Sequence, residues 1–138
     1  MKYRESEEMY LETILLLKSK LNIVRSIDIA NELNYSRASV SWAVNLLKDK
    51  GYFTIDNLII YFTDSGLAKA HEIYERHEII TKVLVKLGVP YEEAEDNACR
   101  IEHVITKELL DYFKKYIEKK LNHHYYKNGG FNTYMQKK

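Results

Sequence analysis

Cysteine, glutamate and histidine recur at helical spacing in the second half of this chain. Cys99, Glu102 and His103 lie three and four residues apart, and Glu95 comes one turn before Cys99. Because residues 91–105 contain no interior Gly or Pro, the sequence predicts a helix that places these four side chains on one face. A thiolate, carboxylates and an imidazole are ligands of divalent transition metals. A buried cysteine beside solvated Glu and His residues explains the same pattern, and this helix alone does not decide between the two.

The composition is that of a globular protein without a strong electrostatic preference for nucleic acid. The chain has 138 residues, a formal net charge of +1 and one cysteine, so no intrachain disulfide forms. No apolar run reaches the ~20 residues that a membrane-spanning helix needs. The N-terminus lacks the cleavage site of a secretory signal peptide. We therefore expect a cytoplasmic protein that does not enter a membrane.

The first half contains the pattern of a helix-turn-helix. Ser26 is expected to cap a short helix that ends at residue 33, and Asn34 suits the left-handed residue of a tight turn. Ser36 is expected to cap a second helix over residues 37–50. Two helices joined by so short a turn, each with an apolar face, are typical of DNA-binding proteins.

Polar residues outside these apolar faces can reach bases and phosphates if the second helix lies in the major groove. A plain helical hairpin is the alternative, but an exposed Trp42 on a purely structural helix would be unusual. The predicted DNA-binding residues are Arg25, Ser36, Arg37, Ser39, Trp42 and Asn45.

Two runs of β-branched and aromatic residues follow the second helix. Residues 52–55 and 58–62 flank Asp56-Asn57, which predicts a hairpin, and a hairpin at this place is the wing of a winged-helix domain. Basic and acidic residues are equal in number over residues 1–62. Binding therefore requires two copies held in register and readout of bases or DNA shape, rather than general attraction to phosphate.

Three amphipathic helices are predicted after the wing, over residues 64–87, 91–105 and 107–121. The segment that begins at Thr63 is expected to cap the first of them, and Thr106 to cap the third. Their apolar faces suit an antiparallel cluster with apolar surface left for a second copy of the chain. The predicted fold is mainly α. A winged helix-turn-helix DNA-binding domain spans residues 1–70, and an all-helical dimerisation and metal-binding domain with a C-terminal tail spans residues 71–138.

Several residues have ordinary structural interpretations when each is considered alone. Ser6 is expected to cap the first helix. Met9 and Glu12 share one face of this helix, where Met9 is expected to fill the core and Glu12 to be solvated. His77, on the long helix, is typical of a half-buried histidine with its hydrogen bonds satisfied. Residues 123–126, two histidines and two tyrosines, are interpreted as a loosely held tail, with a metal-binding tag or an aromatic anchor that docks on the body as alternatives.

Taken together, the winged-helix pattern and the cysteine-containing helix resemble the diphtheria-toxin-repressor family of metal-dependent transcriptional repressors. This family includes iron-dependent regulators and the manganese-transport regulator. The resemblance covers roughly residues 6–110. The matching segments are Glu8-Met9-Tyr10-Leu11, Ile29-Ala30, Ser39-Val40-Ser41, Thr63-x-x-Gly66, Arg76-His77 and Cys99-Arg100-x-Glu102-His103-Val104.

The resemblance implies a ligand set and a cofactor. Met9 and Cys99 match the iron-type members, whereas Glu12 falls where manganese-type members place a ligand carboxylate. Thr81 and Glu95 replace a carboxylate and a histidine of the iron-type ancillary site, and Glu95 remains a possible ligand. The expected cofactor is Fe²⁺ or Mn²⁺, with Co²⁺, Ni²⁺ or Zn²⁺ as substitutes in vitro. The implied ligands are Met9, Glu12, His77, Glu95, Cys99, Glu102 and His103.

The resemblance also implies a homodimer that represses transcription by binding a double-stranded DNA operator. Trp42 stands where a glutamine is common, so the operator is not predicted. Chains of the iron type usually continue into an SH3-like domain, and we expect no ligand from such a domain here. An enzyme with Cys99 as nucleophile and His103 as base is disfavoured, because no oxyanion donors are evident. The alternative is a metal-independent winged-helix regulator with a degenerate metal site.

Overall fold

The computed structural model describes the backbone of residues 2–128 and the side chains of residues 6–118. This part of the chain is mainly helical, with one two-stranded antiparallel sheet, as the sequence predicts. None of the helices searched in this part is long and apolar enough to cross a membrane. The elements are α1 (Lys2–Lys20), α2 (Ser26–Leu33), α3 (Arg37–Asp49), β1 (Phe53–Asp56), β2 (Ile59–Phe62), α4 (Asp64–Lys86), α5 (Tyr91–Ile101) and α6 (Lys107–Asn128).

The chain divides into two compact units, and the boundary between Glu75 and Arg76 falls inside α4. The first unit contains the helix-turn-helix and the hairpin, and its core takes residues from every element up to the first half of α4. The second unit contains the rest of α4 with α5 and α6. Its core is formed by Ile79, Ile80, Val83, Ala98, Ile105, Leu110 and Ile117.

Two predicted helix starts are wrong. α1 begins at Lys2, so Ser6 lies in its second turn and does not cap it. The lysine, arginine and glutamate before Ser6 are good helix formers, and they extend the helix toward the N-terminus. At α2 the cap is Arg25 rather than Ser26: the backbone N–H of Arg25 donates to Asp28 Oδ2 at 2.8 Å, which anchors the first turn.

The turn of the helix-turn-helix forms as predicted. Asn34 adopts φ 57° and ψ 42°, and its backbone N–H donates to the carbonyl of Ala30. Ser36 caps α3, because its Oγ accepts the backbone N–H of Ser39 at 3.1 Å. The short turn holds α3 against α2, with Val40, Val44 and Leu47 of α3 buried.

The hairpin forms, but its turn lies one residue later than predicted. Asp56 pairs with Ile59, so the two-residue loop is Asn57-Leu58, with φ 51° and 67°. Positive φ at both positions belongs to the turn type whose twist suits a hairpin. The same register pairs Phe53 with Phe62, whose ring centroids lie 5.1 Å apart. This aromatic contact stabilises the observed pairing.

α4 begins in close contact with the hairpin. Thr63 caps the helix as predicted, because its Oγ1 accepts the backbone N–H of Gly66 at 3.0 Å. The backbone N–H of Thr63 donates to the carbonyl of Tyr52 at 3.0 Å. A Cβ on Gly66 would lie only 1.9 Å from that same carbonyl oxygen. Only glycine allows this approach, which explains the residue at this position.

In the second unit, α5 ends at Ile101 and not at residue 105. Glu102 is its C-cap, and His103 lies in the turn that follows. The next helix starts as predicted, because Thr106 Oγ1 accepts the backbone N–H of Leu109 at 3.1 Å and caps α6. α6 extends to Asn128 rather than residue 121, because no Gly or Pro interrupts it earlier. Residues 123–126 thus have helical backbone, and their side chains lie outside the described residues.

Candidate metal centre and DNA-binding surface

Five side chains of the second unit come together: His77 on α4, Glu95 and Cys99 on α5, and Glu102 and His103 directly after α5. The imidazole of His77 is central. Its Nδ1 lies 2.8 Å from Glu102 Oε2 and 3.8 Å from Cys99 Sγ, while its Nε2 lies 3.4 Å from Glu95 Oε1. His103 Nε2 lies 3.3 Å from Glu102 Oε1. The tertiary structure therefore adds a residue of α4 to the four that the sequence groups by spacing.

Small residues on α5 allow this arrangement. Ala94 and Ala98 are both fully buried, and Ala98 belongs to the same core as Ile80 and Val83 of α4. Because the distance between packed helices depends on the side chains at the contact, alanine allows α5 to approach α4 closely. The ligand-type side chains of α5 are thereby brought within hydrogen-bond distance of His77.

Glu102 is the most deeply buried of the five, with 0% of its side chain exposed. A carboxylate without water is stable only when cations or hydrogen-bond donors surround it. Oε2 is held by His77. Oε1 has no hydrogen bond within the described part of the chain, although His103 lies beside it. One oxygen of a fully buried carboxylate is therefore available to a cation.

A proton on His77 stabilises the cluster when no metal is present. Burial opposes the charged imidazolium, but hydrogen bonds to Cys99 and Glu102 and the negative charge of both groups outweigh it. Together they raise the pKa of His77 from 6.5 to about 11. At neutral pH both ring nitrogens of His77 therefore carry protons, and a metal ion that binds His77 must displace one of them.

The donor set fits a divalent transition metal. Metal bonds of ~2.0–2.3 Å to imidazole nitrogen and thiolate place neighbouring ligand atoms about 3–4 Å apart. The distances from His77 Nδ1 to Glu102 and Cys99, 2.8 and 3.8 Å, are close to that range. Imidazole and thiolate favour iron, cobalt, nickel or zinc over manganese, while the carboxylate accepts all of them.

The remaining predicted ligands lie on α1, in the first unit. Met9 is half-buried against the first core, and its Sδ accepts a hydrogen bond from the hydroxyl of Tyr35 at 3.8 Å. Glu12 is half-buried one turn later. The hydroxyl of Thr81, at the ancillary position of α4, donates a hydrogen bond of 2.8 Å to the backbone carbonyl of His77, one turn earlier in the same helix. The ligand roles of Met9 and Glu12 stay predictions.

The outer face of α3 carries most of the predicted DNA contacts. Trp42 is 66% exposed, and this confirms that it does not belong to the core. Three of these polar side chains form hydrogen bonds within α3 and its cap. Ser36 and Ser39 hydrogen-bond to each other, and Asn45 Nδ2 donates to the carbonyl of Ser41 at 2.8 Å. All six predicted residues are exposed: Arg25, Ser36, Arg37, Ser39, Trp42 and Asn45.

A cleft of about 440 Å³ runs along one flank of α3, between the start of α2 and the hairpin. Arg25, Arg37 and Asn45 line it, as do Ser41 and Leu58, which sequence reasoning missed. Ser41 lies four residues from both Arg37 and Asn45, so helical periodicity could have found it. Leu58 could be found only from the tertiary structure, because the hairpin reaches the cleft from a distant part of the unit.

Two family models of known proteins match this chain. Residues 2–57 match the family model described as the iron dependent repressor, N-terminal DNA binding domain. Residues 63–125 match the model described as the iron dependent repressor, metal binding and dimerisation domain. This chain belongs to the iron-dependent repressor family. The family includes the diphtheria-toxin-repressor type, so the resemblance seen in the sequence is confirmed.

Relatives in this family come from archaea and bacteria. An uncharacterized HTH-type transcriptional regulator of Methanocaldococcus jannaschii is 31% identical over 118 residues, which cover 83% of this chain and 94% of the relative. The transcriptional regulator MntR of Escherichia coli is 32% identical over 117 residues, or 84% of this chain and 76% of MntR. The iron-dependent repressor IdeR of Mycobacterium leprae is 31% identical over 107 residues, or 76% of this chain and 46% of IdeR.

Solved structures share the fold. A manganese-dependent transcriptional repressor in complex with manganese has a TM-score of 0.74 at 24% identity, covering 81% of this chain and 52% of that protein. A hypothetical protein of Sulfolobus solfataricus has a TM-score of 0.67 at 24% identity, covering 83% of this chain and 88% of that protein. This chain thus spans about half the length of the solved manganese-dependent repressor.

Membership of the iron-dependent repressor family establishes the class of protein. Its members are metal-dependent transcriptional regulators rather than enzymes, with a DNA-binding domain followed by a metal-binding and dimerisation domain. Residues 63–125 contain all five residues of the α4–α5 cluster, and residues 2–57 contain the whole of α3.

Proposed function

We propose that this chain forms a homodimeric transcriptional repressor of metal-uptake genes that acts in the cytoplasm and is activated by Fe²⁺ or Mn²⁺. The observation that carries the proposal is the cluster around Glu102. The fully buried carboxylate of Glu102 lies beside the imidazoles of His77 and His103, and Cys99 Sγ lies 3.8 Å from His77 Nδ1, in a domain of the metal-binding family. A hydrogen-bonded cluster does not need the sulfur of Cys99, whereas a sulfur ligand strengthens the binding of a transition metal.

Each residue of the cluster has a proposed role. His77, Cys99, Glu102 and His103 would hold the metal, and Glu95, with 41% of its side chain exposed, would be a peripheral ligand or would orient His77 through Nε2. The ion would supply positive charge in place of the proton on His77. Because a thiolate is a soft ligand, we expect tighter binding of Fe²⁺ or Co²⁺ than of Mn²⁺.

We further propose that Met9 and Glu12 complete the ligand set from α1. The support is their spacing of one helical turn and the family resemblance of the Glu-Met-Tyr-Leu segment. Ligands on both units would restrict the orientation of the DNA-binding unit. In a dimer, that orientation sets the distance between the two copies of α3, which must match half-sites about one DNA turn apart. A coupling of ~1–3 kcal/mol would raise operator affinity ~5–150-fold.

The dimer would form through the second unit, as the description of the family domain suggests. Several large apolar side chains are exposed there, among them Leu109 and Tyr112 on α6 and Val104 before it. Apolar surface of this kind on a small helical unit is typical of a subunit interface.

A binding titration tests the proposal. Affinity for the promoter region of the protein's own operon would be measured anaerobically with chelator, Mn²⁺, Fe²⁺ and Co²⁺. We expect at least about a fivefold increase with the preferred metal. His103→Ala should abolish the metal response and leave the dimer intact. His71→Ala is the matched control, because His71 is exposed in the first unit and should change nothing. Equal affinity with chelator and with every metal would contradict regulation by metal.

One observation favours the alternative of a metal-independent regulator. His77 Nδ1 and Glu102 Oε2 lie 2.8 Å apart, so each side chain is a hydrogen-bond partner of the other. If the pair is purely structural, divalent metals should leave the thermal stability of the protein unchanged. If the cluster binds metal, the melting temperature should rise with Mn²⁺, Fe²⁺ or Co²⁺ and fall again with chelator.

A further inference from the structure

The outer face of α3 carries one large aromatic side chain that contributes nothing to the core. Trp42 is 66% exposed, and it is the only tryptophan of the chain. Ala38, one turn earlier, and Ala43, the next residue, are too small to cover an indole ring. An exposed ring of this size does not gain the free energy that burial would supply, so it points to a partner that covers it.

The polar side chains on the same helix already make local hydrogen bonds. The hydroxyl of Ser36 donates to Ser39 Oγ at 2.8 Å and accepts the backbone N–H of Ser39 at 3.1 Å. The bond from Asn45 Nδ2 to the carbonyl of Ser41 holds the amide against the helix backbone. It therefore competes with the bidentate contact that asparagine can make to adenine. Readout by this part of α3 thus depends more on apolar contact than on hydrogen bonds.

The surroundings of Trp42 do not attract a phosphate. Trp42 lines a groove of about 540 Å³ between α1 and α3, and no arginine or lysine lines this groove. Glu7 also lines it, but its carboxylate is ion-paired with Lys50, so the pair adds no net charge. A phosphate beside the indole would gain no net electrostatic attraction from these residues. The partner that covers Trp42 is therefore the apolar part of a ligand.

The chemistry of indole restricts which base it can select. Indole offers a wide apolar face and a single N–H donor, so it cannot form the bidentate pairs by which arginine, asparagine and glutamine distinguish guanine or adenine. Among the groups that base pairs present in the major groove, the C5 methyl group of thymine is the one that is apolar. An exposed indole on a helix that lies in this groove therefore suits thymine.

We propose that Trp42 determines part of the operator sequence by covering the C5 methyl group of one thymine in each half-site. This inference rests on the proposed function, because it requires a dimer whose two copies of α3 lie in the major groove. It goes further by naming the base that the helix selects and the group on that base that it recognises. Burial of one methyl group against the ring raises affinity about fourfold in each half-site.

Deoxyuridine tests the proposal, because it differs from thymidine only in lacking this methyl group and keeps the same hydrogen-bonding groups. The full chain would be tested as a dimer with Mn²⁺ or Fe²⁺, on a duplex that the wild-type protein selects from random-sequence DNA. Each thymine would be replaced in turn, in both half-sites together. At one position we expect about a 15-fold loss of affinity, with the salt dependence unchanged because no phosphate contact is altered. Deoxyuridine outside the half-sites is the control and should change nothing.

Protein variants connect the methyl group to Trp42. Trp42→Ala should bind the thymine and deoxyuridine duplexes equally, because alanine does not reach the methyl group. Its melting temperature should match that of the wild type, since the position is exposed. Leu67→Ala is the matched control: Leu67 is also exposed in the first unit, but it lies on α4. It should keep the difference of about 15-fold between the two duplexes.

The failure of this inference can be distinguished from the failure of the proposed function. If no deoxyuridine substitution weakens wild-type binding, or if the selected half-sites share no thymine, the inference is wrong while the proposed function stands. If Trp42→Ala discriminates between the two duplexes as strongly as the wild type, another residue recognises the methyl group and the inference is also wrong. The same holds if Leu67→Ala loses the discrimination. If the wild-type protein selects no duplex with any metal, the proposed function fails, and this inference fails with it.

Discussion

The two units place their candidate functional residues in opposite environments. In the first unit the predicted DNA contacts are exposed, and Trp42 presents 66% of its surface to solvent. In the second unit His77 and Glu102 are buried, and Glu102 has no exposure at all, whereas Cys99 and part of Glu95 lie at the outer edge of the cluster. Both groups of residues are polar or aromatic, so composition does not distinguish them. The difference arises from the kind of ligand each unit would bind.

A surface that reads DNA must be reachable by a large rigid partner, so its side chains remain outside the core. A metal site gains selectivity and affinity from ligands held in a dry, preorganised shell. Substitutions should therefore affect the units differently. Changes on α3 should alter binding and spare stability, whereas changes around Glu102 should alter both. The predictions below run from the largest expected effect to the smallest.

Glu102→Ala should have the largest effect. It removes the carboxylate that holds His77 and leaves a buried imidazolium without its main partner. Loss of one member of a buried ion pair costs about 3–5 kcal/mol. The free energy of unfolding from urea denaturation would measure this. Glu92→Ala, at an exposed position in the first turn of α5, should change stability by less than about 0.5 kcal/mol. Equal effects of the two substitutions would show that the buried cluster is not a distinct structural feature.

Gly66→Ala tests whether the first unit also depends on a tight internal contact. The added Cβ would meet the Tyr52 carbonyl at 1.9 Å, so the hairpin or the start of α4 must shift. We expect a loss of about 1–3 kcal/mol in the free energy of unfolding. Ala68→Gly, two residues along the same helix, is the control for altered helix propensity and should cost about 1 kcal/mol. A neutral Gly66→Ala would mean that the hairpin is loosely attached to α4.

The stability and the metal affinity of the second unit should also depend on pH, because His77 is buried there. Because the pKa of His77 rises from 6.5 in the unfolded chain to about 11 in the folded one, its proton stabilises the metal-free fold. That contribution is complete below the unfolded pKa and is lost as pH rises through the folded value. Metal must displace this proton, and a coordinating cysteine releases another, so metal affinity should increase at least about tenfold per pH unit between about pH 7 and 9.

Two measurements check this: melting temperature in chelator and Co²⁺ affinity, both over the same pH range. His77→Ala should lose the pH dependence of the melting temperature in chelator and bind Co²⁺ weakly at every pH, whereas His71→Ala should behave as the wild type. A metal-free protein whose stability increased with pH over this range would contradict the assigned role of the His77 proton.

Trp42→Ala should have the smallest effect on folding and a clear effect on binding. Since Trp42 is exposed, the free energy of unfolding should change by less than about 0.5 kcal/mol. Operator affinity should fall about 5–150-fold if the indole contacts a base edge, for which good contacts are worth ~1–3 kcal/mol. Trp42→Phe should lose less, because it keeps an aromatic ring. A large loss of stability would place Trp42 in the core and remove the contrast between the units.

Local signals predicted the starts of three helices correctly. Ser36, Thr63 and Thr106 all cap as expected, because a side-chain oxygen and the amide three residues later form a contact within one turn of chain. The caps predicted at Ser6 and Ser26 were wrong, because the neighbouring residues extend or cap these helices instead. Two further predictions failed where distant residues decided the outcome. The hairpin turn moved by one residue when Phe53 paired with Phe62. α5 stopped at Ile101, before the two ligand candidates that were expected on it.

The candidate sites also divide into features that local spacing predicts and features that depend on distant residues. Spacing alone grouped Glu95, Cys99, Glu102 and His103, because neighbours on one segment are close in any fold. Spacing could not show that His77 would join them from α4. The burial of Glu102 was also not predictable, since glutamate is usually solvated and only packing excludes water from it.

The sequence by itself determined which segments are helices, where the helix-turn-helix lies and which family the chain resembles. These depend on periodicity, caps and motif spacing, which act over a few residues. Only the tertiary structure decided that His77 pairs with a carboxylate sealed from water, and that Leu58 reaches a cleft lined by arginines. Both depend on the packing of segments far apart in the chain, where burial changes the energy of a charge more than any local pattern does.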